Sequence, residues 1–160
     1  MNNISFQTAI TQYLEKQQVK FRLLLHTVPT TNIEETAKER NIEPRVMVKS
    51  ILLRDMGDNY VLACVPGDHS VDPKKVRALL GLRRMTCVSY DDIEAISGYK
   101  PGAVSPLLLK TPMPIVFDQR FQSIAEITIS SGSNMAGIAI LNSDLFSLCN
   151  PTSVNADICR

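Results

Sequence analysis

Alternation and helical spacing divide the chain into many short elements. Phe6, Ala9, Ile10, Tyr13 and Leu14 recur at helical spacing, which predicts an amphipathic helix over residues 5–17, opened by Ser5. Phe21 to Leu25 reads as a short strand. In TTNIEETAKERNI, Thr31 or Asn32 precedes Glu34 or Glu35 by three residues, a helix-start signature. Glu34 and Glu35 early, with Lys38 and Arg40 late, also suit the helix dipole. Pro44 ends that helix, and a strand follows over 46–54. A Gly57-Asp58-Asn59 turn leads to its antiparallel partner over 60–65. Asp72 and Pro73 supply the cap and first residue of a helix with Val76, Leu79 and Leu80 on one side, closed by Gly81. Arg84–Ser89 reads as a strand, and Asp91 or Asp92 caps a short helix ending at Gly98. Further strands are predicted at 103–109, 114–117, 125–130 and 137–141, with a last helix over 143–149.

Strands outnumber helices and do not alternate strictly with them. That predicts an α+β fold, with a mixed or largely antiparallel sheet curved toward a barrel and surrounded by helices. No repeat, low-complexity tract or linker interrupts the chain, so residues 1–160 are expected to form one domain.

One residue breaks the pattern of the 46–54 strand. Val46, Val48, Ser50 and Leu52 share one face, and Met47, Lys49, Ile51 and Leu53 the other. Both faces are apolar, as in a strand covered on two sides, yet Lys49 stands between Met47 and Ile51. Lysine on an edge strand blocks aggregation, or its stem reaches the rim. The other reading is an ammonium projecting into a pocket to meet an anion or a polarised carbonyl.

Composition narrows the function classes. The 160 residues carry a net charge of +1, 44% hydrophobic and 21% charged residues, so no overall electrostatic footprint marks a DNA or RNA partner. Any nucleic acid must be held by a local patch. Cys64, Cys87, Cys149 and Cys159 are widely spaced and, with His26 and His69, show no metal-ligand spacing, so neither structural zinc nor another cofactor is expected. Three of the cysteines lie beside apolar residues and read as small core side chains. The start lacks the basic and apolar regions of a signal peptide, and no run reaches the ~20 apolar residues of a membrane span. The expected setting is cytoplasmic, with no membrane partner.

Three loops could carry chemistry. SGYKPGAVSP, residues 97–106, combines glycines that accept positive φ with prolines that stiffen the chain; it is either a plain turn or a loop presenting fixed backbone groups to a nucleotide-like ligand. ITISSGSNMAG, residues 127–137, runs a strand into a Ser/Gly loop that is either a hairpin connection or a source of hydroxyl and N–H groups. It has no G-x-S-x-G elbow, and neither histidine has the context of a base, which argues against a serine-hydrolase triad. In PGDHSVDPKK, Asp68 and His69 are adjacent and expected to point apart, while Lys74 and Lys75 read as a solvated or phosphate-facing patch, the solvated reading being favoured.

The order of these pieces is more specific than any one of them. V-x-V-K-S-I-L-L, then P-G-D-x-x-V-D-x-x-K, then S-G-Y-x-x-G-x-x-S-P, then Val116-Phe117-Asp118 and I-S-S-G, resembles the YbaK family from roughly His26 to Leu145. These are aminoacyl-tRNA deacylases related to the editing domain inserted in bacterial prolyl-tRNA synthetases. The resemblance implies a curved mixed α/β domain that hydrolyses the ester joining a wrong amino acid to tRNA. It implies that Lys49 is the residue most needed for activity, that Ser130, matching a serine on the late strand, is the second catalytic residue, and that Gly102 holds the aminoacyl-adenosine through backbone contacts. The loop Gly102, Ala103, Val104, Ser105 and Pro106, together with Asp118 and Gly132, completes the implied substrate-binding set. The implied partners are the aminoacyl-tRNA 3′ end and an aminoacyl-tRNA synthetase, with no DNA. Some editing domains carry a histidine in the late motif, where this chain reads Ser133-Asn134-Met135-Ala136, so the amino acid cleared stays open. The resemblance favours a small one, Cys, Ala or Ser on tRNA(Pro). A non-catalytic module that binds an aminoacyl-adenosine-like ligand or a synthetase is the alternative.

Overall fold

The computed structural model describes residues 6–160. Ser5 lies outside the described residues; helix α1 (Ala9–Lys16) is opened instead by Thr8, whose hydroxyl accepts from Thr11 N–H while the Thr11 hydroxyl accepts from Thr8 N–H. Strand β1 (Phe21–Leu25) leads to α2 (Ile33–Arg40), where the Asn32 side chain accepts from Glu35 N–H and Asn41 closes the helix in the left-handed conformation. Then come β2 (Val48–Asp55), β3 (Tyr60–Pro66), α3 (Pro73–Leu80), β4 (Met85–Cys87), α4 (Ile93–Ser97), β5 (Ile115–Asp118), β6 (Glu126–Ser130), β7 (Ala136–Leu141), α5 (Asn142–Cys149) and β8 (Ser153–Ala156). Strand β2 starts at Val48 because Pro44–Val46 take a 3₁₀ turn first.

The strands form two sheets, a five-stranded one in the order β4-β2-β3-β5-β8 and a three-stranded one in the order β1-β7-β6. The smaller sheet is antiparallel throughout, and the larger adds the parallel pairs β3–β5 and β5–β8. The α+β class with a mixed sheet agrees with the sequence. Closure into a barrel is not what the pairing shows: an isolated parallel bridge between Met47 and Thr128 is where the two sheets meet.

Alternate residues of the central strands feed two cores. Leu62 and Cys64 of β3 and Phe117 of β5 join Ile127, Ile129, Ile138 and Ile140 of the small sheet in the larger core. Val61, Ala63, Val65 and Val116 face the opposite way, onto Val76 of α3 and Ile158 near the C-terminus. Each fully buried Val, Leu or Ile contributes ~1.5–3 kcal/mol, more than one hydrogen bond at ~1 kcal/mol, so double-sided burial places the β2–β3 hairpin at the centre of the sheet. Strand β2 lies between β4 and β3, but β4 covers it only at Leu53–Asp55, so Lys49 stands on a locally open stretch of an otherwise interior strand.

The strand expected at 103–109 is a loop. Pro106 has no N–H to give a ladder, Leu108 takes φ +57°, and Leu107 is buried by the larger core without strand pairing. Cys64, Cys149 and Cys159 are buried, as expected of core side chains, and Cys87 is exposed. Among the described residues no helix is long and apolar enough to cross a membrane.

Candidate active site

The open edge of β2 defines the site. Strand β4 pairs with β2 only at Leu53, Arg54 and Asp55, and the bridge to β6 lies at Met47, so residues 48–51 have no strand neighbour on that side. Leu52 C=O accepts from Val88 N–H at 2.9 Å. Backbone direction alternates along a strand, so the N–H and C=O of Ser50 also point to that open edge. A cavity of about 540 Å³ occupies the gap, within the ~300–1,000 Å³ usual for small-molecule sites.

Four groups of residues wall the cavity. Lys49 and Ser50 come from β2, and Thr31, Asn32, Thr36 and Arg40 from α2 and the loop before it. Val88 and Tyr90 come from the segment between β4 and α4, Ile93 from the start of α4, and Gly102, Val104 and Ser130 from the 97–106 loop and the end of β6. Among the described residues, Lys49 and Arg40 are its charged ones, and no carboxylate lines it.

Lys49 shares its β2 face with Ile51 and Leu53, is half-buried, and donates from Nζ to the backbone carbonyl of His69 in the β3–α3 loop. The His69 ring points elsewhere. Its Nδ1 lies 2.7 Å from Asp68 Oδ1, so these neighbours pair, against the expectation that they point apart. Ser50 Oγ, on the opposite face of β2, lies 3.7 Å from Cys64 Sγ, and burial pushes that thiol far above its ordinary value, so it stays neutral.

Ser130 sits where two loops meet. Its hydroxyl donates to Ala103 C=O at 2.8 Å and accepts from Gly132 N–H at 3.0 Å. Gly102 takes φ +86°, a conformation that side chains with a Cβ resist, and its Cα faces the backbone of Thr31 across the opening. Ala103, Ser105 and Pro106 are buried beneath the loop and support it without lining the cavity. The loop is braced by Tyr99, whose hydroxyl donates to Leu107 C=O, and burial raises that phenol to about 12.

Asp118, like Ala103, Ser105 and Pro106, does not line the cavity. Its side chain is fully buried; Oδ1 accepts from Arg120 N–H at 3.0 Å and Oδ2 from Ile158 N–H at 3.1 Å, while the Arg120 guanidinium lies 3.1 Å away. A buried carboxylate must be saturated with donors, and this one is saturated by its own chain. Gly132 likewise reaches the site only through Ser130. Lys75 is not free in solvent as expected: its Nζ donates to Cys159 C=O at 2.7 Å and lies 3.2 Å from Asp157.

Sequence reasoning missed Thr31, Asn32, Thr36, Tyr90 and the cavity role of Arg40. The signal for the α2 group was present, since residues 32, 36 and 40 share one helical stripe, but nothing in the pattern said which element that stripe would face.

The family described as the aminoacyl-tRNA editing domain matches residues 27–148, well over half of the chain and every residue that lines the cavity. This chain belongs to that family. Enzymes of the editing domain family act on aminoacyl-tRNA by hydrolysing its ester. Among relatives, a proline–tRNA ligase of Bacillus pumilus (strain SAFR-032) is 28% identical over 88% of this chain and 25% of its own length. The editing domain thus spans about a quarter or less of the ligases it matches. A protein of Enterococcus faecalis (strain ATCC 700802 / V583), named as a proposed Cys-tRNA(Pro)/Cys-tRNA(Cys) deacylase, is 26% identical over 73% of this chain and 71% of its own length. Two solved structures share the fold. A hypothetical protein, APE2540, superposes with a TM-score of 0.86 at 20% identity, covering 94% of this chain and 99% of that one. A proposed trans-editing enzyme for prolyl-tRNA synthetase superposes at 0.79 with 20% identity, covering 97% and 99%.

Proposed function

We propose that this editing domain hydrolyses, in trans, the ester of a mischarged aminoacyl-tRNA carrying a small amino acid such as Cys, Ala or Ser, on tRNA(Pro). The observation that carries this reading is Lys49, half-buried and held at its ammonium by the His69 carbonyl, as a wall of the same cavity as Gly102, Val104 and Ser130. The names of the Enterococcus faecalis relative and of the trans-editing enzyme, which specify tRNA(Pro) and prolyl-tRNA synthetase, support the substrate class.

An aminoacyl ester is already activated, so positioning and charge stabilisation suffice. Water adds to the carbonyl carbon and loses a proton, and the carbonyl oxygen becomes a tetrahedral oxyanion facing the Lys49 ammonium. Collapse breaks the bond to the ribose oxygen, which leaves with a proton as the tRNA hydroxyl, and the free amino acid departs. Gly102 and the stiff loop after it hold the terminal adenosine by backbone contacts. Lys49 acts as a fixed positive charge and not as a base. A synthetase that delivers the charged tRNA is the partner this reading entails.

The test is incubation of the purified protein with labelled aminoacyl-tRNAs, with and without prolyl-tRNA synthetase. Release of Cys, Ala or Ser from tRNA(Pro), above release from correctly charged Pro-tRNA(Pro), is the expected result. Binding without release from any member of the panel would replace the hydrolase by a binding module.

A further inference from the structure

Arg40 is the second cation of the cavity, and the protein does not neutralise it. The residue closes α2, and helical side chains lean toward the N-terminus, so its guanidinium lies back over the turn that carries Thr36. Arg40 Nε donates to His26 Nε2 at 3.0 Å. The guanidinium rests on Gly137, where any Cβ would collide with it. Neither neighbour brings negative charge. Burial, and next the field of Arg40 itself, hold the His26 imidazole below its ordinary value, so it is neutral with its proton on Nδ1, facing Thr30 Oγ1 at 3.4 Å. The carboxylate beside Arg40 in sequence, Glu39, accepts instead from Thr27 N–H and Oγ1. Burial pulls Arg40 down to about 10, which leaves it charged at neutral pH.

A brace between His26 and Gly137 needs only the Nε donor. The two terminal amino groups of the fork are left without a hydrogen-bond partner among the described residues, beside a cavity that no carboxylate lines. Removing a charge from water without a counter-charge is costly, so the counter-charge is expected to arrive with the ligand. A phosphodiester offers two unbridged oxygens with the spacing that a guanidinium fork matches. The neutral ester carbonyl of the aminoacyl end brings no full negative charge, so it offsets the guanidinium less well than the phosphate does.

We propose that Arg40 clamps the phosphate on the 5′ side of the tRNA's terminal adenosine and so fixes how far the ester reaches toward Lys49. This deepens the deacylase reading and rests on it for the identity of the ligand.

The experiment compares the 3′-aminoacyl esters of adenosine 5′-monophosphate and of adenosine as substrates for the wild type, Arg40→Met, Arg40→Gln and Arg40→Lys. The wild type is expected to prefer the phosphorylated ester by ~10-fold or more in kcat/KM, chiefly through KM. In Arg40→Met that ratio falls to about one, and Arg40→Lys keeps part of it because the charge survives without the fork. The salt dependence of tRNA binding should also weaken by ~0.7 in its log–log slope, as for one lost phosphate contact on a single strand. Arg40→Gln serves the same purpose if the methionine variant melts early. A ratio unchanged in both neutral variants, or a wild type with no preference, overturns the clamp. Calorimetric binding of adenosine 5′-monophosphate against adenosine reads the clamp without catalysis. If neither ester is cleaved but the phosphate preference in binding is present and lost in Arg40→Met, the deacylase reading fails and the clamp stands.

Discussion

Lys49 carries three ammonium protons, and one goes to the His69 carbonyl. That bond fixes the head group and leaves two donors for a ligand, which is the preorganisation an oxyanion requires. Lys49 is half-buried on a locally open stretch of β2, held by a backbone carbonyl and paired with no carboxylate among the described residues. Lys49→Met should therefore lower the single-turnover rate of deacylation by ~10²–10³, the usual effect of losing one oxyanion donor. Lys49→Arg, which keeps the charge, should retain a measurable part of the rate. Rapid-quench assays at saturating enzyme separate the two variants, and a Lys49→Met protein as fast as the wild type would remove the ammonium from the chemistry. At the same scale, Gly102 answers why the opposite loop needs glycine: at φ +86° its backbone turns toward Thr31 and leaves the cavity mouth open.

The elements of the site are joined by a hydroxyl, and that sets their behaviour. Ser130 binds the 97–106 loop through Ala103 and the β6–β7 loop through Gly132, so both of its hydrogen-bonding directions are in use. The resemblance made Ser130 catalytic, whereas this geometry describes a positioning residue. Ser130→Ala leaves two partly buried partners unsatisfied, at ~1–3 kcal/mol of stability, and should raise KM more than it lowers kcat. Steady-state kinetics with thermal melts decide the matter: a collapse of kcat at constant KM would give Ser130 a direct chemical step. Elements whose pattern is local were legible in the sequence: β1 matches the predicted strand residue for residue, and α2 and α3 have the caps that their Asn32 and Asp72 announced. The misses are tertiary. β8 (Ser153–Ala156) has only two apolar residues and exists because β5 offers it a parallel edge, while the 103–109 run is apolar because it covers the larger core. The site was legible in Lys49, Gly102, Val104 and Ser130, which carry motif residues. The α2 stripe was not, because a helix pattern fixes which residues share a face and leaves open what the face meets.

At the scale of the molecule, the second core is closed by the C-terminal segment, and Asp118 holds that segment in place. Ile158 and Cys159 fill the space between α3 and the five-stranded sheet, and the chain there is tied by Ile158 N–H to Asp118, by Cys159 C=O to Lys75, and by the Val71–Cys159 bridge. Burial pushes the Asp118 carboxyl up, but the N–H groups of Arg120 and Ile158 and the Arg120 guanidinium together outweigh it, so the group titrates below its ordinary value. A carboxyl depressed in the fold stabilises fully above its unfolded value, near ~4, and that contribution is lost as pH falls through the lower folded value. Asp118→Asn should thus be less stable than the wild type at pH 7, and the gap should close as pH drops below about 4. Asp55 is also held low, by the Asn59 N–H first and then by those of Arg83 and Gly57, so acid weakens the wild type through more than one group. Taking the difference between wild type and Asp118→Asn cancels Asp55, which both proteins share. Urea unfolding at several pH values supplies that difference directly. A gap that stays constant into acid would mean the Asp118 carboxylate is not what holds the C-terminal segment over the second core.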